Sequence, residues 1–343
     1  MRPIIDRIAP TLPAADQALL AEARTAEKIP AEHARLLPKI EALHLLEVCP
    51  PAEPQPVPPR ITVASFNAER LKFPAAARWL LDDADVQVAL LTEVDIGMAR
   101  SGNRHTIEAL TAESGEGHVY GVEFLELDLG DPIEMREHAG QSNSLGFHGN
   151  AIVSDFVLSA PHLIPLEKTG RWFGGKDGAQ HRIGGRMALA ARLEGTRQPV
   201  WLVTVHLESQ SDPDDRALQM RRLIEALDRI APNAAMVVGG DLNTKDLPRD
   251  EAGLAEILDA PQRFEPLFDV MRDAGFDWRS ANLPVVTQRT GPSGEPEPPF
   301  GKLDWLFVRG LLAHDPRVIP ALDEMGRPIS DHEMLCVEIA LPG

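Results

Sequence analysis

From residue 60 onward, apolar runs of four to eight residues recur along the chain, separated by helical stretches or by glycine and proline turns. That rhythm limits the fold more than any other feature, because runs so short suit strands and not long helices. Strands are predicted over 61–66, 86–91, 149–153, 186–193, 200–205, 235–238, 303–308 and 334–340, and a strand-like stretch covers 119–127. Pro74 opens a predicted helix to about residue 81, and Asp212 is placed to cap another over 213–230. Strands joined by helices and hairpins predict a layered α/β domain, with two sheets sandwiched between helices. No internal repeat is evident.

The first 49 residues read differently. Ala, Leu, Glu and Arg dominate 14–29, and 30–48 opens with Pro30 and repeats Leu36, Leu37, Ile40, Leu43 and Leu46 at helical spacing. Pro38 should kink or split that second helix. Six prolines then crowd 50–59, which reads as a semi-rigid extended linker. The expected division is an N-terminal helical extension (1–49), a Pro-rich linker (50–59) and a main α/β domain (60–343). The helical pair would pack on that domain or support a homodimer.

Composition narrows the partners. With 34 basic against 52 acidic side chains and a net charge of −18, indiscriminate binding to a polyanion is disfavoured, although a local basic groove is not. The two cysteines, Cys49 and Cys336, are far apart and fit no metal spacing. Residues 1–20 carry Asp6, Asp16 and three prolines and do not read as a signal peptide, and no run approaches a membrane span. A soluble, cytoplasmic protein is expected.

Polar residues fall where the apolar runs end. Asn67 and Glu69 follow the first run, Glu93 the second, and His206 the run 200–205. Asp241 and Asn243 follow Val237-Val238, Asp304 interrupts 303–308, and Asp331-His332 precedes the last run. One such residue is ordinarily a turn or capping group, but the whole set is not so easily dismissed. Glu93 with Glu69, Asn67 and Asp331 offers hard oxygen ligands for one Mg²⁺ or Mn²⁺. Asp241 is placed to orient or deprotonate a water, with Asn243 fixing its carboxylate. His206 and His332 would donate hydrogen bonds to phosphoryl oxygens, and Asp304 would hold the His332 ring in the right tautomer.

The ordered series Ser65-Phe66-Asn67, Leu91-Thr92-Glu93, Gly149 to Ser154, His206-Leu207-Glu208, Gly240 to Asn243, Leu303-Asp304-Trp305 and Ser330-Asp331-His332 resembles the endonuclease/exonuclease/phosphatase superfamily. That group includes DNase I-like nucleases, abasic-site endonucleases, sphingomyelinases, inositol polyphosphate phosphatases, deadenylases and tyrosyl-DNA phosphodiesterases. The resemblance covers about residues 60–341. It implies a DNase I-like four-layer α/β sandwich, two mixed β-sheets flanked by helices, and Mg²⁺-dependent phosphoester hydrolysis by in-line attack of water. It also implies that Glu93 is the principal metal ligand, that Asn67 and Asp331 share the metal side, and that Asp304 pairs with His332. Glu69 stands where several nucleases have aspartate, so its longer side chain would shift the metal or act through water.

Substrate choice is less legible. His206-Leu207-Glu208-Ser209 followed by Arg216 and Gln219 is similar to the matching stretch of tyrosyl-DNA phosphodiesterases, although Arg216 and Gln219 also read as exposed helix residues. Two inserts would shape specificity. The first, 97–148, holds Arg100, Asn103, Arg104 and His105. The second, 167–186, concentrates Arg171, Trp172, Phe173, Lys176, His181, Arg182 and Arg186. Asn150, Arg182, Arg186 and Trp172 are assigned to substrate, with an aromatic beside arginines suited to stack a base or cover a head group. Three readings result: a phosphodiesterase or nuclease acting on nucleic-acid ends or single strands, a phosphatase or phosphodiesterase for lipid head groups or small metabolites, and a scaffold without catalysis.

Overall fold

The computed structural model describes residues 3–342 except 168, 176–179, 290–297 and 299, so Lys176 and most of the proline-rich loop 291–299 lie outside the described residues. Among the described residues, fourteen strands run in chain order: β1 (Ile8–Ala9), β2 (Leu46–Cys49), β3 (Arg60–Arg70), β4 (Val88–Ile96), β5 (Gly117–Glu126), β6 (Phe147–Ser154), β7 (Leu158–Pro165), β8 (Arg182–Gly184), β9 (Met187–Leu193), β10 (Val200–Val205), β11 (Ala235–Asp241), β12 (Asp304–Arg309), β13 (Leu312–Ile319) and β14 (Met334–Ala340). The main helices are α1 (Gln17–Thr25), α2 (Pro30–Leu36), α3 (Pro74–Asp83), α4 (Thr106–Thr111), α5 (Pro132–Glu137), α6 (Pro213–Ile230), α7 (Glu251–Glu256) and α8 (Leu267–Asp273). One sheet has nine strands in the order β1-β2-β5-β6-β4-β3-β14-β13, with β8 paired to β5. The other has five in the order β12-β11-β10-β9-β7.

Both sheets are mixed. β3 runs parallel to β4 and β10 parallel to β11, and their other neighbours are antiparallel. Alternation along the strands then builds three apolar layers. Val63, Val88, Leu90, Leu202, Val237 and Leu306 meet between the sheets. Phe66 and Leu91 face outward beneath Leu80 and Leu81 of α3 and Ile107 of α4. Trp201, Val203 and Val238 face Leu223 of α6 and Phe268 of α8. The result is the expected α/β/β/α sandwich. It has strands buried on both faces, which is why their sequences are continuous apolar runs rather than alternating ones.

The N-terminal expectation needs correction. Helix α2 stops at Leu36, two residues before Pro38, and short 3₁₀ turns lead into a strand where a helix to residue 48 was expected. Leu46–Cys49 pairs antiparallel with β5 and Ile8–Ala9 adds a further parallel strand, so residues 1–49 extend the large sheet as well as covering it. Residues 50–59 are tied down as they cross: Ala52 N–H donates to Gly115 O, Gln55 N–H to Asp155 O, and Leu341 N–H to Pro59 O. Arg216 and Gln219 are buried, not exposed. Arg216 pairs with Glu265 and Asp246 at 2.7 and 2.6 Å, and Gln219 accepts from Glu208 N–H, which locks α6 to the loop after β10.

Candidate active site

The carboxyl ends of β3, β4, β10 and β11 converge with the start of β12 and the turn before β14, which brings residues from six places in the sequence together. Asn67 bridges two carboxylates, donating from Nδ2 to Asp241 Oδ2 at 3.1 Å and to Glu93 Oε1 at 3.3 Å. Asp241 Oδ1 accepts from Asn243 N–H at 2.8 Å, and Asn243 Nδ2 donates to Leu207 O while lying 3.2 Å from His206 Nε2. His332 places Nδ1 2.7 Å from Asp304 Oδ2 and Nε2 3.7 Å from Asp241 Oδ2. Ser330 Oγ donates to Asn67 O at 2.7 Å and accepts from His332 N–H, tying the last turn to β3.

The local backbone is bent to allow this. β3 and β4 shift register at Asn67/Arg70 and Leu91/Val94. Glu93 and Asn243 sit in the left-handed region at φ +55° and +49°, where non-glycine residues are uncommon and functional sites concentrate. Gly240, at φ +154°, lets β11 pass within reach of β10: a Cβ there would lie 1.8 Å from Val205 O.

Burial and charge set the protonation states. Burial raises Asp241 to about 7, and nearby Asp304 and Glu93 add to the rise while His332 opposes it. Burial works against a charged His332, but Asp304, Asp241 and Asp331 outweigh it and hold the imidazolium well above its ordinary range. His206 goes the other way: burial and the Arg186 guanidinium keep its ring neutral. Burial pushes Glu93 up, yet Arg70, with His148 and His332, brings it well below the usual carboxylate range. Asp331 rises to about 6 through burial, with Glu93 and Glu69 adding to the shift.

These shifts bear on a metal. Glu93, Asp331 and Glu69 are oxygen donors whose charges oppose one another, a donor set that fits a hard divalent cation. Asp241, Asp304 and His332 also place ligand atoms within 4.8 Å of one another. The imidazolium between those two carboxylates is better satisfied as a hydrogen-bonded relay, since a ligating imidazole must be neutral.

The remaining sequence candidates are placed less centrally. Glu69 lies at the rim, paired with Lys72 at 2.9 Å. Asn150 is buried on β6 and donates to Met187 O. Arg186 binds Glu123 and lies over Trp172, its guanidinium 4.9 Å from the ring. Trp172 is 1% exposed, edge-on to Phe124 and flanked by the Arg182 and Arg186 guanidiniums, so it presents no open face for stacking a base. Two further residues complete the cluster. Thr287 Oγ1 donates to Asp304 Oδ2 at 2.6 Å and accepts from the N–H groups of Leu303 and Asp304. Arg70 pairs with Glu93 Oε2 at 3.3 Å. Neither ends an apolar run, which was the signal that found the others.

Two packed mixed sheets with a carboxylate, amide and imidazole cluster at their joined strand ends define a phosphoesterase-type architecture. The sequence matches the Endonuclease/Exonuclease/phosphatase family over residues 64–332, and the chain belongs to that family, whose members are metal-dependent phosphoesterases and nucleases. A search of the curated proteins found no match. Among solved structures, a functionally unknown conserved protein from Enterococcus faecalis V583 is similar at TM-score 0.54 and 18% identity, covering 82% of this chain and 100% of that one. Humanized D. rerio TDP2 is similar at 0.50 and 17%, covering 82% and 99%. The human Nocturnin catalytic domain with bound sulfate anion is similar at 0.50 and 14%, covering 87% and 97%. At these identities the likeness concerns the fold.

Proposed function

We propose that the protein is a divalent-metal-dependent phosphodiesterase that hydrolyses a phosphoester by in-line attack of water. The observation that carries this is the continuous hydrogen-bonded path Glu93–Asn67–Asp241, with the imidazolium of His332 between Asp241 and Asp304. Asp241, held by Asn243 and Asn67, orients the water and takes its proton at Oδ2. His332, kept charged by Asp304, donates from Nε2 to a non-bridging oxygen as negative charge develops there. His206, kept neutral, contributes a hydrogen bond at the same oxygens. A bound Mg²⁺ or Mn²⁺, held by Glu93 and Asn67 with Asp331 and Glu69 beside them, supplies Lewis-acid polarisation of the phosphoryl group.

Nucleic-acid ends or single strands remain the first substrate class. The packing of Trp172 and the pairing of Arg186 with Glu123 favour the second: lipid head groups or small phosphorylated metabolites. Hydrolysis of bis-p-nitrophenyl phosphate against p-nitrophenyl phosphate, with Mg²⁺, Mn²⁺ or chelator, tests the proposal with Asp241→Asn alongside. Metal-dependent diester cleavage lost in the variant is expected. Cleavage of the monoester alone would move the reading to a phosphatase, and cleavage indifferent to Asp241→Asn would overturn the site.

A further inference from the structure

Arg70 is the charged group beside Glu93 that the proposed mechanism leaves unused. It occupies an expensive position. Glu69, Arg70 and Leu71 take φ of +43°, +67° and +49°, three successive non-glycine residues in the left-handed region where β3 bulges away from β4. Strain of that kind persists only where the surroundings enforce it. Here they do. Arg70 Nε lies 2.7 Å from Glu134 Oε1, and Glu134 Oε2 accepts from Arg100 Nη1 at 3.0 Å and from Asp131 N–H at 2.9 Å. Arg100 in turn grips Asp95 at 2.8 and 3.0 Å, and His148 closes on the same carboxylate at 2.7 Å. Gly130 leaves the space this requires, since a Cβ there would stand 1.9 Å from Glu134 Oε2.

A long flexible arginine is thus clamped with Nη1 on one oxygen of Glu93, while Asn67 engages the other. Arg70 and Glu93 are 23% and 21% exposed at the side chain, so the pair is open to the cleft and not sealed in the core. Phosphoesterases that use two metals set them about 3.5–4 Å apart and let acidic side chains hold both. In this site a guanidinium already neutralises the Glu93 oxygen that a second ion would need.

We propose that Arg70 is a built-in second cation: it occupies the outer oxygen of Glu93, restricts the site to a single divalent ion, and supplies the phosphoryl site with the positive charge of the missing one. The inference rests on the metal-dependent reading above. Its test is Mn²⁺ binding by calorimetry, with the bound ions counted by electron paramagnetic resonance, on wild type, Arg70→Gln and Arg70→Lys. Wild type should bind one ion. Arg70→Gln, near in size but neutral, should bind two, or bind the first on the order of tenfold more tightly once the like charge is gone. Arg70→Lys should stay at one. A merely structural clamp would instead give one ion, bound equally or more weakly, in Arg70→Gln, and that result overturns the proposal, as would two ions in wild type. No binding by wild type would defeat the metal-dependent reading itself.

Discussion

The imidazole of His332 concentrates the chemistry of the site in one ring, because its two nitrogens face Asp304 and Asp241 from opposite sides. His332→Ala should lower turnover by about 10²–10³-fold, the usual scale for losing one donor to a developing oxyanion. Asp304→Asn makes a finer test. The carboxylate raises the imidazolium above its ordinary range, so activity that requires the charged ring should persist to high pH in wild type. In Asp304→Asn that decline should move to lower pH, which a kcat–pH profile measures. Asp241 gives the opposite limb. It works as a base only when ionised, so activity should rise as pH passes through about 7. Much of this was legible beforehand, because an acid or amide that breaks an apolar run stands out against its neighbours. Arg70 and Thr287 did not. Arg70 follows Glu69 in a polar bulge, and Thr287 reaches Asp304 from an irregular loop, so no contrast of hydropathy marks either.

Elements with an unbroken apolar run or a clean helical stripe were the ones the pattern predicts well. β10, β14 and α6 have the residue limits expected from sequence. The strands it missed are edges and near-edges. β7 contains Pro161 and a register shift, and β13 contains Asp315 and Pro316 beside another, so both lack a clean apolar run. β2 is hidden differently, since its leucine continues a helical spacing that tertiary pairing with β5 overrides. Two residues before β12, Lys302 is wholly buried, its amine donating to Asp304 O and lying 4.4 Å from the Trp305 ring. Burial lowers it to about 7. Between pH 7 and about 10.4 the folded chain therefore binds fewer protons here than the unfolded one, and stability should rise with pH across that window. Lys302→Met should melt higher than wild type at pH 7, with the gain shrinking toward pH 10. A melting-temperature difference independent of pH would rule this out.

At the scale of the molecule, charge and connectivity make separate predictions. A net charge of −18, with Arg70, Arg186 and Arg216 each paired to a carboxylate, implies few phosphate contacts. The KM for a short diester should change by less than about tenfold between 50 and 200 mM salt, where a protein making six to ten phosphate contacts would lose about 10³–10⁵ in affinity. Connectivity bears on the first 59 residues. Because β2 pairs with β5 and Leu19, Leu20, Leu36 and Leu43 lie in the core over the large sheet, a proteolytic cut within 50–59 should not release the N-terminal piece. Gel filtration of nicked protein should show both fragments in one peak. The order of the large sheet has one more effect. β14, which comes after both β3 and β13 in sequence, is threaded between them, and the turn before it carries Asp331 and His332. A chain still emerging from the ribosome therefore has nothing to join β13 to β3 and no imidazolium to complete the site. On the proposed mechanism a chain interrupted before residue 330 should be inert, so synthesis itself acts as a safety catch on the hydrolase.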